Sequence, residues 1–336
     1  TQMCNMYPQY QHIWAAREAV KSRIEETRAQ RLLEGCNPDG TLSVPLRYYA
    51  AHTGRFGGTE KINLQNLPRG SKLRNALQAG PNQTLYIVDL SNIEARMLAW
   101  LAKEQDLLDS FAAGDDVYSN FATQIYNRPI QKDDKLERYV GKTAILGLGY
   151  GMGAKKYKTI LAQGTPAVDV TEQTALGIVS QYRAMYPNIP QLWSIAKQLL
   201  FYMLDRTSQG YSYGPLSVAS NALKLPNGMY LQYPHLRYSN NEFLYDSGRN
   251  GITRTHGPRL VENIVQALAR IVITDQMLAI QNLAAVDVVL TVHDEIIAIG
   301  SDKDADKTLE KIMVIMKQPP TWCAELPLDA EGAHSK

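Results

Sequence analysis

Carboxylates stand at the ends of predicted strands in this chain. Asp294 and Glu295 form the tip between two apolar runs, residues 288–292 and 296–299, a pattern typical of a β-hairpin. Asp89 lies at the end of another apolar run, residues 84–90, which also predicts a strand. If the two strands are neighbours in one sheet, Asp89 and Asp294 converge, and paired carboxylates can hold two Mg²⁺ ions about 3.5–4 Å apart for phosphoryl or nucleotidyl transfer. Taken singly, the same acids could be solvated turn residues.

A basic and aromatic row follows in a predicted helix over residues 133–151. Its members recur every four residues: Arg138, Lys142, Leu146 and Tyr150. A step of four turns a helix by about 400°, so the side chains share a broad face that spans roughly 18 Å. Arg and Lys there can bind phosphates, while Leu and Tyr can meet a sugar and a base. The alternative is an amphipathic surface helix with a glycine-rich end.

The same predicted helix contains glycine at positions 141, 147 and 149. Each glycine costs a helix interior up to about 1 kcal/mol relative to alanine. We therefore expect either that another element packs closely against this helix or that the helix moves.

Residues 41–70 lack clear periodicity and are rich in Gly, Thr, Asn, Gln and Arg. Arg55, Asn63 and Gln65 carry donors and acceptors that suit phosphates or base edges. A long segment of this kind is uncommon in a compact domain unless it is functional. We interpret it as a nucleic-acid surface, with a polar surface loop as the alternative.

The remaining elements are mostly helical. Apolar periodicity predicts helices over residues 9–33, 103–132, 259–281 and 302–316, and two helices within residues 171–206. Ser91, with Glu94 three residues later, predicts a capped helix start after the first strand. Asn227-Gly228 predicts a tight hairpin turn, and residues 319–336 are Pro-rich and less regular.

The composition is that of an ordinary globular chain. Of its 336 residues, 45% are hydrophobic and 20% are charged. The net charge of +2 neither requires nor excludes nucleic acid, because a binding groove needs only a local basic surface. The three cysteines contain no CxxC pair, which argues against a disulfide framework or a zinc site and indicates a reducing compartment. No apolar run reaches the roughly 18 residues of a membrane span, so no membrane partner is expected.

Five motifs, in one order, resemble the polymerase portion of family A DNA polymerases, in a version similar to that of phages. They are Thr53 to Arg55 with Asn63 to Asn66, Asp89 to Arg96, Arg138 to Gly151, Leu260 to Gln266, and Val292 to Glu295, and they cover about residues 50–300. The resemblance implies a mixed α+β fold. In that fold an antiparallel palm sheet carries the carboxylates, beside a mostly helical fingers subdomain and a partial thumb.

The resemblance also implies a chemistry and its ligands. The chain would be a nucleotidyltransferase that adds dNTPs to a primer 3′-OH by two-metal catalysis, with primer–template DNA and dNTPs as partners. Asp89, Asp294 and the backbone carbonyl of Leu90 would bind two Mg²⁺ ions, for which Mn²⁺ can substitute. Glu295 would be a supporting carboxylate, and Lys142 would protonate the pyrophosphate leaving group.

Further contacts are implied in the same way. The residues implied to bind the nucleotide are Arg138, Lys142, Leu146, Tyr150, Glu94 and Tyr118. Among them, Arg138 and Lys142 would hold the triphosphate, and Glu94 would fill the place of a ribose 2′-OH and so select deoxynucleotides. The residues implied to contact DNA are Arg55, Asn63, Gln65, Gln266 and His293.

Three positions depart from the family pattern. Tyr118 stands where the family often has a triphosphate-binding His. Leu146 replaces Phe or Tyr near the sugar, which we expect to change the tolerance for sugar analogues. Glu262 replaces a more usual Asn and brings a negative charge close to DNA, which nothing in the sequence explains.

The resemblance implies boundaries as well. A partial thumb would cover residues 1–45, a first part of the palm 46–105, the fingers 106–235, and a second, C-terminally truncated part of the palm 236–336. We expect these to be the palm and fingers of a longer protein that acts in replication or repair in the cytoplasm of a bacterial cell or a phage-infected host. The resemblance does not identify any accessory proteins.

Two alternatives remain at this point. A single-subunit RNA polymerase would use related motifs, but the acidic Glu94 argues against it because a bulky acid there excludes ribose. The second alternative is a DNA-binding fragment with little catalysis of its own, because a truncated thumb would hold duplex DNA poorly.

Overall fold

The computed structural model describes residues 6–21, 23–68, 70–248, 251–284 and 286–335. Part of the predicted thumb region, residues 1–5 and Ser22, therefore lies outside the described residues. The helices are α1 (Gln11–Lys21), α2 (Arg23–Gly35), α3 (Lys72–Asn75), α4 (Ile93–Ala102), α5 (Gln105–Ala112), α6 (Val117–Tyr126), α7 (Lys135–Leu148), α8 (Ala154–Gln163), α9 (Glu172–Met185), α10 (Asn188–Leu204), α11 (Gly257–Gln281) and α12 (Ala305–Met316). The strands are β1 (Leu46–Arg47), β2 (Gly57–Gly58), β3 (Gln83–Leu90), β4 (Ser212–Tyr213), β5 (Leu216–Ala219), β6 (Ala222–Lys224), β7 (Tyr230–Gln232), β8 (Arg237–Ser239), β9 (Glu242–Asp246), β10 (Ile252–Thr255), β11 (Val286–Val292), β12 (Glu295–Ser301) and β13 (Ala330–Ser335).

An antiparallel four-stranded sheet of order β11-β12-β3-β13 lies at the centre of the fold. β3 alternates buried and less buried residues, so that Tyr86, Val88 and Leu90 face one side. On that side the sheet packs against α11 and α12. The predicted α+β class with an antiparallel sheet is therefore confirmed.

The opposite side of the sheet is covered by the polar segment that follows α2. Leu290 of β11 packs there with Leu64 and Leu67 in a second, smaller core. The segment also contains the short antiparallel pair β1–β2 and a 3₁₀ turn at Leu64–Asn66. Leucines of the segment therefore hold residues 41–68 against this side of the sheet.

The predicted hairpin at β11 and β12 is confirmed. Val292 pairs with Glu295, which leaves His293 and Asp294 as the turn between the strands. His293 has φ of 58°, a left-handed conformation that few residues other than glycine adopt. The two-residue loop therefore places the Asp294 side chain at the tip of the sheet.

Close packing explains the glycines of the basic helix. A Cβ at Gly141 would overlap the carbonyl oxygen of Tyr118 and lie 3.1 Å from the Cβ of Ala122, both on α6. A Cβ at Gly149 would overlap the side chain of Leu98. The sequence suggested either close packing against this helix or movement of the helix. Close packing is confirmed at Gly141 and Gly149.

We expect Gly141→Ala to lower the free energy of unfolding by about 1–3 kcal/mol, since the new methyl group must push α7 away from α6. Gly177 on α9 is the matched control, because no heavy atom lies within 4 Å of a Cβ built there. Gly177→Ala should raise the same free energy by about 0.5–1 kcal/mol through helix propensity alone. Urea unfolding of both variants checks the pair, and equal effects would contradict the packing.

The long helix α11 forms the core of the molecule. It packs against α4, α10, α12 and strand β11. Its length and apolar composition would allow it to cross a membrane, but 67% of its most apolar window is buried inside the fold. A core helix of a globular fold accounts for that pattern.

Several sequence predictions of element boundaries were wrong. The single helix expected over residues 103–132 is two helices, α5 and α6, because Gly114 adopts φ of 76° and the chain turns before Val117. The helix expected over residues 9–33 is described as α1 and α2, which lie on either side of Ser22, a residue outside the described ones. Residues 319–336 contain the regular strand β13, whose stretch Ala330–Ser335 is free of proline and pairs with β3.

Candidate active site

The predicted convergence of the strands that carry Asp89 and Asp294 is seen in the structure. β12 pairs antiparallel with β3, and Glu295 lies opposite Asp89 in the register. The backbone N–H of Leu90 donates to the carbonyl oxygen of Asp294 at 3.1 Å. The two aspartates, although distant in sequence, therefore lie at the same end of neighbouring strands.

Glu295 is the buried member of this group. The residue is 8% exposed, and Arg74 donates to both of its carboxylate oxygens, at 2.9 and 3.1 Å. Arg74 belongs to the short helix α3, and sequence reasoning missed it because a partner 221 residues away leaves no local pattern. The ion pair fixes the Glu295 carboxylate and balances its charge next to the turn.

Two carboxylates at the end of the sheet could serve as ligands of a divalent metal. Among the residues that the structure describes, no group of three or more His, Cys, Asp or Glu side chains could hold a metal ion. Asp89 and Asp294 supply two carboxylates, and Mg²⁺ commonly takes one or two protein carboxylates together with substrate phosphates and waters. The set therefore fits Mg²⁺ when a phosphate-bearing ligand completes the coordination.

Arg138 is already engaged by a carboxylate. Its Nε and an Nη lie 2.5 and 3.1 Å from the two carboxylate oxygens of Asp116, and Ser119 donates to the same carboxylate at 2.7 Å. Burial alone would raise the pKa of Asp116, but the hydrogen bonds from Arg138 and Ser119 and the charge of Arg138 outweigh it and lower the pKa. Asp116 was missed from the sequence, although it stands two residues before Tyr118.

Tyr118 links the basic row to the carboxylates. Its ring lies under Arg138 and Lys142, at 5.3 and 5.8 Å from ring centroid to cation, and its hydroxyl donates to the side-chain oxygen of Asn92. Burial raises the pKa of Tyr118 to about 12, and the negative charge of Asp294 contributes to the rise. Tyr118 is therefore a neutral phenol that lies within electrostatic reach of both groups.

The far end of the predicted row departs from expectation. The helix α7 ends at Leu148, not at residue 151, so Tyr150 lies in the turn that follows and does not continue the row as a helical residue. Glycines at 147, 149 and 151 explain the early end. Among the described residues the Tyr150 hydroxyl finds no hydrogen-bond partner, while Leu146 on the helix is 39% exposed. Burial first, and then the charge of Glu94, raise the pKa of Tyr150 far above its usual range.

The capping box predicted at Ser91 and Glu94 is wrong. Helix α4 begins at Ile93 after Asn92, whose φ of 56° is left-handed and whose side chain makes no capping bond. Glu94 instead forms an ion pair with Arg55. The predicted sugar-selecting acid and a predicted DNA-contact arginine are thus each other's partners, because the 41–70 segment folds over the start of α4.

The other residues predicted to contact DNA hold the turn segment in place. Asn63 accepts a hydrogen bond from the backbone of Gln65 at 3.1 Å, and the Gln65 amide donates to the Thr291 carbonyl at 2.8 Å. Thr53 donates to the side-chain oxygen of Gln266 at 3.5 Å. The bond from Gln65 fixes this segment to β11 just before the hairpin turn, and the bond from Thr53 links the segment to α11.

The structure supplies a reason for the charge at Glu262. Arg259, one turn earlier on α11, forms an ion pair with it at 2.9 Å. Gln266 also donates to Glu262, at 3.5 Å. The negative charge on this helix is therefore balanced within the helix itself.

One small cavity brings three of the predicted DNA-contact residues together. Arg55, Gln65 and His293 line it, in company with Arg270 and Thr291. Asn63 and Gln266 are not among its lining residues. The cavity lies beside the hairpin turn that carries Asp294.

Comparison with known proteins gives consistent relatives. The model of DNA polymerase family A matches residues 1–200. The chain is 28% identical to a DNA polymerase of Bacillus phage SP02 over 88% of its length, and 27% identical to DNA polymerase I of Pseudomonas aeruginosa over 92%. It spans 52% of the phage enzyme and 31% of the Pseudomonas enzyme.

A solved structure shares the fold. The polymerase domain of Pol1 from M. smegmatis, in complex with DNA primer-template and dNTP, superposes with a TM-score of 0.72 at 22% sequence identity. The match covers 97% of this chain and 52% of that one. The arrangement of sheet and helices described above is therefore that of a polymerase domain.

Proposed function

Because this chain belongs to DNA polymerase family A, we propose that it adds dNTPs to a primer 3′-OH under the direction of a template strand. The observation that carries the proposal is the register of β3 and β12, which sets Asp89 and Asp294 at one end of the sheet. The charge of Asp294 acts on Tyr118, whose ring lies under Arg138 and Lys142. Carboxylates and cations thus share one site, as nucleotidyl transfer requires.

In this proposal Asp89, Asp294 and the carbonyl of Leu90 hold two Mg²⁺ ions, or Mn²⁺ in their place. When bound, the ions would activate the primer hydroxyl and neutralise charge on the departing pyrophosphate. Lys142 would give a proton to that pyrophosphate. Glu295, held by Arg74, would keep a negative charge beside the turn without taking a metal itself.

The nucleotide would lie along α7. Arg138 and Lys142 would hold its triphosphate, with Tyr118 as the surface beneath the two cations. Leu146 would meet the sugar, and Tyr150 would lie under the nascent base pair. Glu94 and Tyr150 are close enough for the charge of Glu94 to raise the pKa of Tyr150, which supports one pocket for sugar and base.

Primer–template DNA would cross the face that the hairpin turn and the 41–70 segment form. Arg55, Gln65 and His293 line the same cavity there, which supports their assignment to DNA. Asn63 and Gln266, with their amide side chains, would add contacts to the same duplex.

The same family membership supports the division of the chain. Residues 46–105 and 236–336 would form the palm, 106–235 the fingers and 1–45 part of the thumb. The palm sheet draws its strands from both palm segments, since β3 pairs with β12 and β13. The protein would act in DNA replication or repair, in the cytoplasm of a bacterial cell or an infected host, and its likeness to DNA polymerases of a phage and a bacterium supports this.

Extension of a labelled primer on a DNA template, with Mg²⁺ and either dNTPs or rNTPs, tests the function. Extension with dNTPs that a chelator abolishes supports a DNA polymerase. Preference for rNTPs would assign the RNA polymerase alternative. Binding in a gel-shift assay without extension would leave only the DNA-binding reading of this chain.

We expect Glu94→Ala to raise the incorporation of rNTPs relative to dNTPs by about 10–100-fold, because the space that the acid fills would admit a 2′-OH. Single-turnover incorporation of the matched dNTP and rNTP measures the ratio. Glu137→Ala is the control, since Glu137 lies on α7 and pairs with Arg128. An unchanged ratio in Glu94→Ala would remove Glu94 from sugar selection.

A further inference from the structure

Arg270, in the middle of α11, is a buried cation. The residue is 7% exposed, although guanidinium groups are almost never buried without a partner. Within the part of the chain that the structure describes, no ion pair joins Arg270 to a carboxylate, and its Nε has no hydrogen-bond partner. One Nη lies 4.0 Å from the sulfur of Met229, which is a weak acceptor.

Aromatic rings hold the guanidinium in place. Its central carbon lies 5.2 Å from the ring centroid of Tyr48 and 5.4 Å from that of Phe56. Such contacts offset part of the cost of burying the charge and leave the planar fork in a fixed orientation. The two rings come from the 41–70 segment, so Arg270 also ties that segment to α11.

Among the described residues no ion pair joins Arg270 to Asp275, which lies on the same helix. Asp275 is close enough for the charge of Arg270 to act on it, yet burial prevails and raises the pKa of Asp275. Asp275 also lies near the buried Cys323, whose pKa its charge helps to raise after burial. The charges of Arg270 and Asp275 therefore act on each other without the direct contact of an ion pair.

The open side of Arg270 faces the cavity at the hairpin turn. The lining consists of Arg55, Phe56, Gln65, Arg270, Ile273, Thr274, Thr291 and His293, and includes no acidic residue. The hydroxyl of Thr291 is buried and, among the described residues, has no partner. The Nε of Arg270 and the hydroxyl of Thr291 therefore lack hydrogen-bond partners among the described residues, and the charged side chains that line the cavity are cationic.

We propose that Arg270 binds a phosphodiester of the primer strand at the mouth of this cavity. The inference rests on the proposed polymerase function and adds to it a contact from the buried side of α11. A phosphate supplies a negative charge and two oxygen acceptors, to which a fixed guanidinium can donate two parallel hydrogen bonds. Thr291 lies on the strand that leads to the catalytic turn, so the same phosphate would align the primer end with Asp294.

The salt dependence of DNA binding separates this role from a packing role. Each phosphate that a cation neutralises adds about 0.9 to the slope of log Kd against log salt concentration. Loss of one such contact should therefore reduce the rise in Kd between about 50 and 200 mM salt by a factor of about 3.5. Loss of aromatic packing alone changes stability and leaves the slope as it was.

Arg270→Met is the test variant, because methionine keeps the contact with Tyr48 and Phe56 and removes the charge. Fluorescence anisotropy with primer–template DNA, without dNTP, should show a Kd raised by about tenfold or more at low salt, with the smaller slope. Arg183→Met is the matched control. It removes one charge from a cation–π contact with Trp193, away from the cavity, and should keep the wild-type slope.

A primer that carries single methylphosphonate linkages locates the contact. At one linkage near the 3′ end, neutralisation should weaken binding to the wild-type protein and have no further effect on Arg270→Met. Competition by inorganic phosphate or dNTP alone, at equal strength in both proteins, would assign the anion to DNA and not to free phosphate. If these ligands instead compete only in the wild-type protein, the primer phosphodiester is the wrong ligand.

Other outcomes overturn the proposal as clearly. A folded Arg270→Met with the wild-type Kd and slope would show that Arg270 only packs. If Arg270→Met fails to fold, Arg270→Lys replaces it, because lysine keeps the charge but loses the planar fork. In Arg270→Lys, the loss of DNA affinity caused by the methylphosphonate at the sensitive linkage should be smaller than in the wild-type protein. An equal loss of affinity in Arg270→Lys and in the wild-type protein would overturn the proposed contact. Failure of the wild-type protein to bind primer–template DNA at all would reject the proposed function, which is a separate result.

Discussion

Replacement of Asp294 by alanine is expected to reduce the rate of primer extension by about 10³-fold or more. The reason lies in the turn of the β11–β12 hairpin, where Asp294 would be one of the two proposed carboxylate ligands of the ions, with Asp89 as the other. With Asp89 alone, on the neighbouring strand, the ions would be held too weakly to stabilise the charge that develops in the transition state. Single-nucleotide extension of a primed template measures the loss.

DNA binding should survive in the same variant. Asp294 bears a negative charge, so its removal does not weaken attraction to phosphates. Asp287→Ala is the matched control, since Asp287 lies on β11 of the same hairpin, is exposed, and stands at the end away from the turn. Near-normal extension by Asp294→Ala, or an equal loss in Asp287→Ala, would remove Asp294 from the catalytic centre.

Replacement of Arg138 by alanine should lower kcat/KM for the incoming dNTP by about 10²–10³-fold, since the triphosphate would lose a bidentate cation. Steady-state incorporation of one nucleotide over a range of dNTP concentrations measures the change. The affinity for primer–template DNA should stay close to the wild-type value, because α7 would hold the nucleotide and not the duplex.

Arg128→Ala provides the comparison. Arg128 forms ion pairs with Asp134 and Glu137 at the start of α7, so its removal also takes a charge and ion pairs from the same region. Its kcat/KM should remain within about twofold of wild type, since exposed pairs contribute little to the fold. Equal losses in both variants would mean that the helix, and not the Arg138 side chain, was disturbed.

Patterns carried by neighbouring residues were readable from the sequence. The apolar run of β3 and the two apolar runs of the hairpin predicted strands, and the apolar stripe of α11 predicted the core helix almost to its ends. These elements follow from local periodicity, which tertiary contacts reinforced. The juxtaposition of Asp89 and Asp294 needed one further assumption, that the two strands are neighbours, and the register confirmed it.

Partners set by tertiary contacts were not readable. Arg74 reaches Glu295 from 221 residues away, and Arg55 reaches Glu94 across 39 residues. The capping box failed for the same reason, because Glu94 gains more from a nearby cation than from its own helix start. Likewise β13 forms only because β3 offers an open edge, which the irregular composition of the last residues did not indicate.

The pair between Asp116 and Arg138 gives this site its own counterion. In the proposed function, a nucleotide that binds Arg138 would displace the Asp116 carboxylate from the guanidinium, so its binding would exchange one anion for another. The net free energy of binding would then be the difference between two strong contacts of Arg138, and a poorly placed phosphate would not displace Asp116. Asp116 would in this way favour a triphosphate whose oxygens are correctly placed to replace its carboxylate.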